Sequence, residues 1–84
     1  MTEPVTMYTT SWCGYCRRLE RQLEGAGIAV QKIDIEAQEQ FGARIERETG
    51  GYRTVPTLEI EGELYVNPSF NQVVRVVAGP PAGN

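Results

Sequence analysis

Val5-Thr6-Met7-Tyr8-Thr9-Thr10-Ser11-Trp12-Cys13-Gly14-Tyr15-Cys16 is the stretch whose two halves demand different local structures. Its first five residues are a β-branched and aromatic run bounded by Pro4 and Ser11, which reads as a short buried strand. From Tyr15 onward the period changes. Cys16, Leu19, Leu23 and Ala26 recur at three- and four-residue intervals, the spacing of one helical face, and Gly25-Ala26-Gly27 stops that helix. Cys13 is thereby placed at a strand-to-helix junction.

Working outward, Ile28, Val30, Ile33 and Ile35 predict a second strand whose alternation slips once after Val30. Residues 37–49 carry Phe41 and Ile45 four apart among charges, an amphipathic helix ended by Gly50-Gly51. Thr57-Leu58-Glu59-Ile60 and Glu63-Leu64-Tyr65-Val66 flank Glu61-Gly62 at the two-residue spacing of a tight hairpin, of a turn type left open. Asn67-Pro68 then offers a cap and a preset first helical residue before Phe70, Val73, Val74 and Val77. That last segment is β-branched enough to compete as a strand, but its spacing favours helix. Gly79-Pro80-Pro81-Ala82-Gly83-Asn84 has nothing to bury, so residues 79–84 are expected to form a mobile tail.

The order β, α, β, α, β, β, α makes the first two strands parallel across a crossover helix and the last two antiparallel. The expected fold class is α/β, a small four-stranded mixed sheet with three flanking helices. Eighty-four residues allow a single domain, 1–84, with one core. The absence of histidine removes every Ser-His or Cys-His nucleophile and the commonest zinc ligand. A net charge of -3, with no long Lys/Arg run, argues against nucleic acid as a partner. Without an apolar span, and with Met1-Thr2-Glu3-Pro4 lacking a basic and apolar leader, no membrane association is expected and the expected address is the cytoplasm.

Cys13 and Cys16 are the only cysteines. Their loop is too short to restrict the unfolded chain much, and two thiols without histidine do not complete a four-ligand zinc site. A Cys-X-X-Cys pair in a reducing compartment then reads as redox chemistry. A free thiol near pKa 8.5 is only about 3% thiolate at pH 7, whereas a helix N-terminus offers unpaired N–H groups that favour the anion. Cys16, one turn further in, gains less, so the expected roles are attack by Cys13 and resolution by Cys16. If such a thiol fell to about pKa 6, its thiolate fraction would rise roughly 30-fold while its nucleophilicity fell about 10-fold, so the larger benefit is its release as a leaving group.

Thr10-Ser11-Trp12-Cys13-Gly14-Tyr15-Cys16, followed by Thr54-Val55-Pro56, resembles the glutaredoxin-like members of the thioredoxin superfamily, and the resemblance covers residues 5–78. It implies a thioredoxin-like, glutaredoxin-type fold. It also implies that Pro56 is cis and faces the cysteines, and that Val55 pairs through its backbone with the cysteinyl part of a thiol compound. An extended residue before proline can present both groups to a ligand. Glutathione-binding members carry a Gly-Gly and a nearby Asp after the last strand, where this chain reads Tyr65-Val66-Asn67-Pro68-Ser69. The Trp-Ser-Gly-Phe-Arg-Pro-like segment of ribonucleotide-reductase donors is missing as well. Cys13-Gly14-Tyr15-Cys16, Gly50-Gly51, Arg53-Thr54-Val55-Pro56-Thr57 and Asn67-Pro68-Ser69 together are similar to the mycoredoxins.

That resemblance implies a monomeric enzyme that reduces mixed disulfides between proteins and a low-molecular-weight thiol. Mycothiol is the implied co-substrate in preference to glutathione, with no tightly bound cofactor and no metal. The substrate-binding candidates are Trp12 and Tyr15 as a rim, Arg53 as a steering charge, Thr54, Val55 and Pro56, and Asn67 and Ser69. Two alternatives stay open: an electron donor coupled to thioredoxin reductase, and an iron-sulfur cluster carrier using Cys13 from two chains. Tyr8 is assigned to the core. Arg17, Arg18 and Arg21, alternating with Glu20 and Glu24, read as a solvated face, although Arg17 is also a candidate for ligand steering.

Overall fold

A strand that buries residues on both of its faces needs cover on both, and the first strand is of that kind. The computed structural model describes residues 5–79. It contains β1 (Val5–Thr9), α1 (Gly14–Gly25), β2 (Val30–Asp34), α2 (Glu39–Glu48), β3 (Thr57–Ile60), β4 (Glu63–Val66) and α3 (Phe70–Ala78). Apart from Gly79, the tail expected over 79–84 lies outside the described residues. The sheet order is β2-β1-β3-β4, with β1 parallel to β2 and antiparallel to β3, and β3 antiparallel to β4. On one face Val5 and Met7 pack with Leu19 and Leu23 of α1, Leu58 and Ile60 of β3, and Val73 of α3. On the other, Tyr8 packs with Ile35 and with Phe41 and Ile45 of α2.

This two-sided cover explains the slipped alternation around Val30. Val30 packs on the α1/α3 core and Ile33 on the α2 core, each partly buried on its own face, while Gln31 and Lys32 between them are exposed on this edge strand. Ile28, expected inside the strand, instead closes the end of α1. Its N–H donates to Leu23 O at 2.9 Å and Gly27 N–H donates to Glu24 O at 3.0 Å, with Gly27 at φ 82°. That is a Schellman ending, and the accompanying apolar pair is Ile28 and Leu23 in the core.

Two helix starts differ from expectation. Helix α2 begins at Glu39 rather than at 37, because Asp34 captures the preceding residues: its Oδ1 accepts from Glu36 N–H at 2.8 Å and its carbonyl from Gln38 N–H at 2.9 Å. The cap of α3 is Ser69, whose Oγ accepts from Gln72 N–H at 3.1 Å, and not Asn67. Asn67 is diverted into a left-handed turn at φ 48°, a region asparagine tolerates, and its N–H donates to Pro56 O at 2.8 Å. Pro68 therefore precedes the cap instead of opening the helix. The hairpin turn has Glu61 at φ 52° and Gly62 at φ 84°, the paired left-handed geometry of type I′.

Under α2 the core is not wholly apolar. Tyr8 OH donates to Glu59 Oε1 at 2.6 Å, and Arg44 of α2 donates to the same carboxylate at 2.8 and 3.3 Å. Burial and the Glu59 carboxylate push the Tyr8 phenol up to about 12. Arg44 and Tyr8 hold Glu59 below the usual carboxylate range. Because the folded phenol titrates above its unfolded value of about 10, its contribution is complete below pH 10 and is lost as pH rises from about 10 to about 12. Tyr8→Phe should cost about 1 to 2 kcal/mol at neutral pH through the lost charge-assisted bond, and should flatten the alkaline fall. Urea denaturation at a series of pH values checks both effects.

Candidate active site

Cys13 arrives at its place because β1 ends at Thr9 and a tight turn follows, with Cys13 N–H donating to Thr10 O at 3.3 Å. The cysteine is then the N-cap of α1: its backbone is extended, and its Sγ accepts from Cys16 N–H at 3.1 Å. The two sulfurs are joined in a disulfide, so this is the oxidised form. Cys13 is 7% exposed and Cys16 1%, which leaves the first sulfur as the one nearer solvent. The first turn of α1 carries no acidic side chain, so negative charge on Cys13 meets the helix dipole without a like-charged neighbour there.

Three loops meet around this turn. Tyr15 OH donates to Pro68 O at 3.2 Å, tying the start of α1 to the turn before α3. Asn67 N–H on Pro56 O ties that turn to the segment before β3, and Thr57 Oγ1 donates to Thr54 O at 2.7 Å across the same segment. The Val55-Pro56 bond is cis, as the resemblance implied. Among the described residues, the N–H and C=O of Val55 have no intrachain partner, and its side chain packs against the core that includes both cysteines. A half-exposed residue with both backbone groups free is a ready edge for an extended ligand.

The remaining sequence candidates divide. Trp12, expected as a rim, is 66% exposed, with its Nε1 donating to Glu36 Oε2 at 3.1 Å. Asn67 and Ser69 are exposed, although Ser69 Oγ is already engaged as the helix cap. Arg53 is not a free charge. Its Nε donates to Glu46 Oε1 at 2.7 Å, and Nη1 and Nη2 donate to the two oxygens of Glu39 at 2.8 and 2.9 Å. Arg17 donates to Ser11 O at 3.0 Å, and Arg18 lies over the Tyr15 ring at 6.0 Å. An open depression of about 420 Å³ beside Trp12 is lined by Thr10, Ile35, Glu36, Glu39 and Arg53.

Glu36, Glu39 and Glu46 were not legible as site neighbours. Glu39 and Glu46 have as their only sequence signal the Glu39, Gly42, Glu46 spacing on one helical face, which does not name a partner, and Glu36 precedes that helix. Thr10 is also unanticipated: it is nine-tenths buried and its hydroxyl has no hydrogen-bond partner among the described residues, a cost of about 1 to 3 kcal/mol. No group of three or more metal-ligating side chains occurs among the described residues, and none of their helices is long and apolar enough to cross a membrane.

A dithiol that closes to a disulfide at the head of a helix trades electron pairs with other thiols. Carried on this sheet, it makes the molecule a thiol-disulfide oxidoreductase of thioredoxin-like fold. The sequence model of the glutaredoxin family matches residues 5–65, and the chain belongs to that family. It is 42% identical over 74 residues to a Mycobacterium tuberculosis protein named "Putative glutaredoxin", covering 87% of this chain and 88% of that one. It is 35% identical over 74 residues to Mycoredoxin 1 of Corynebacterium glutamicum, covering 87% and 91%. A Pseudomonas aeruginosa glutaredoxin is 38% identical over 63 residues, covering 75% and 73%.

Tyr15→Phe removes the one side-chain bond between the start of α1 and Pro68 while keeping the ring. The oxidised protein should lose about 0.5 to 1.5 kcal/mol, read as a lower urea midpoint at unchanged slope. An unchanged midpoint would mean that this tie does not hold the loops together.

Proposed function

We propose that this protein reduces mixed disulfides between protein cysteines and a low-molecular-weight thiol, mycothiol, acting as a single-domain monomer in the cytoplasm. The observation that carries the reading is the asymmetry of the dithiol. Cys13 caps a helix, accepts an N–H bond on its sulfur and is the more exposed of the two, whereas Cys16 is buried inside the first turn.

In the first step the Cys13 thiolate attacks the small-thiol sulfur of the mixed disulfide. The protein thiol leaves as thiolate and takes a proton from solvent, and the small thiol is now bonded to Cys13. A second small thiolate then attacks its own kind on Cys13, releasing the symmetric disulfide and restoring the Cys13 thiolate. Alternatively Cys16 attacks Cys13, releases the small thiol and closes the Cys13–Cys16 disulfide. Cys16 N–H on Cys13 Sγ favours the anion that must depart in the second step.

The free N–H and C=O of Val55 support a role in aligning the cysteinyl part of the ligand, beside Pro56 and Thr54. Trp12 and Tyr15 bound the approach. Mycothiol is favoured by the relative named Mycoredoxin 1 and by the exposed Asn67 and Ser69, whose side chains suit the hydroxyls of a sugar-bearing thiol. The Ser69 hydroxyl, while accepting from Gln72 N–H, still has its own hydrogen to donate.

Cys13→Ser should abolish reduction of a mycothiolated protein, and Cys16→Ser should retain it through the monothiol route. Activity surviving in Cys13→Ser would reverse the assignment. With the Cys13 mixed disulfide as substrate, mycothiol should exceed glutathione by at least about tenfold in second-order rate constant. That ratio corresponds to about 1.4 kcal/mol, the worth of one or two hydrogen bonds. Equal rate constants would overturn the choice of thiol while leaving the exchange chemistry intact.

A further inference from the structure

We propose that Glu39 and Glu46, by holding Arg53 across Gly42, make the depression beside Trp12, the residue before Cys13, a net-negative approach to that cysteine which slows thiols bearing a carboxylate and spares uncharged ones. The inference deepens the proposed function and rests on its reading of Cys13 as the sulfur that exchanges with small thiols.

The clamp is built into one face of α2. Glu39, Gly42 and Glu46 follow at helical spacing, and the Arg53 side chain lies over the middle position. A Cβ at residue 42 would meet Arg53 Nη1 at 3.1 Å, so the bare glycine leaves the guanidinium room to lie against the helix. All three guanidinium nitrogens are then used: Nε by Glu46, Nη1 and Nη2 by Glu39 as a fork. Two of the five N–H donors remain, but not as a fork, so a ligand carboxylate reaching Arg53 meets single donors beside two carboxylates already in place.

The local charge balance runs the same way. Among the residues lining the depression Glu36 and Glu39 are negative and Arg53 positive, a net of -1, and Glu46, paired to Arg53 Nε, brings the cluster to -2. Glu36 receives only the uncharged Trp12 indole N–H, so its charge is not compensated there. Arg53 lies two residues before Val55, roughly 7 Å along an extended chain. A thiol compound aligned on the Val55 backbone therefore brings its next group toward this charge. The ion pairs are at the surface, with Glu39 itself 71% exposed, and such pairs are easily rearranged, so the discrimination expected is a few-fold and not absolute.

The test uses the Cys16→Ser protein with Cys13 converted to its 2-thiopyridyl mixed disulfide, a neutral and chromogenic leaving group. An incoming thiolate attacks Cys13 Sγ. One S–S bond forms as the other breaks, and pyridine-2-thiolate departs, takes a proton and is read by its absorbance. Rate constants per thiolate are compared for glutathione and its glycyl monoethyl ester, which differ by one carboxylate charge. At low salt the ester should be faster by about three- to tenfold, and the gap should shrink as salt screens the groove. Glu39→Gln/Glu46→Gln should raise the glutathione rate and close the gap. Glu24→Gln/Glu63→Gln, which removes the same charge at the far end of α1 and on the distal hairpin, should leave it.

An unchanged ester-to-glutathione ratio in Glu39→Gln/Glu46→Gln overturns the proposal, as does an equal effect from the distal pair, or no gap and no salt dependence in the protein with both glutamates present. The last measurement needs no groove variant, so the proposal stays falsifiable if the double substitution disturbs α2. If no thiol releases the chromophore, the assignment of Cys13 falls and this inference with it. Release with an unaltered ratio removes this inference alone.

Discussion

Strand β1 pairs along both of its edges, with β2 in parallel and with β3 antiparallel, and the positions of the dithiol and of the Thr54-Val55-Pro56 segment follow from that central strand. A strand so pinned cannot slip in register without turning Tyr8 out of one core and Met7 out of the other. The residue at which the chain leaves the sheet is therefore set, and the next turn delivers Cys13 to the head of α1. The same pairing positions β3, and hence the Thr54-Val55-Pro56 segment that leads into it. The dithiol and its candidate docking edge are held by one element, although about forty residues separate them in the chain.

Two acidic networks, one beneath α2 and one on its outer face, divide the electrostatic work. Inside, Glu59 is satisfied by Tyr8 and Arg44, a charge kept half-buried because each of its two oxygens has a donor. Outside, Glu39 and Glu46 bind Arg53 in solvent, where the pairs contribute little to stability. What they neutralise is the one cationic side chain lining the depression beside Trp12. An arginine that looks like a ligand-steering cation in the sequence is already committed to two carboxylates.

The strand-helix junction at Cys13 was legible because hydrophobic period and breaker residues agree there: β-branched residues to Thr9, a change of spacing from Cys16, glycines at the stop. Around Val30 and Asn67 they do not agree. Val30 and Ile33 face opposite cores, so no single alternation describes β2. Asn67 has the side chain of a cap but is drawn into a left-handed turn by the hydrogen bond to Pro56, a residue eleven positions earlier, and Ser69 takes the cap. Local propensity is outvoted in both places by a contact distant in sequence.

By itself, then, the sequence determined the element order, the parallel pairing of the first two strands and the antiparallel pairing of the last two, the identity of the redox pair and its place at a helix terminus. Each is a consequence of residue periodicity, turn chemistry or cysteine spacing, which act over a few residues. The pairing of β1 with β3 came from the structure. Only the tertiary structure decided that Tyr15 reaches Pro68, that Val55 keeps both backbone groups free, and that Arg53 lies between Glu39 and Glu46 over Gly42. Those are meetings of side chains and loops brought together by the sheet, and no spacing along the chain encodes which donor will find which acceptor once the core has closed.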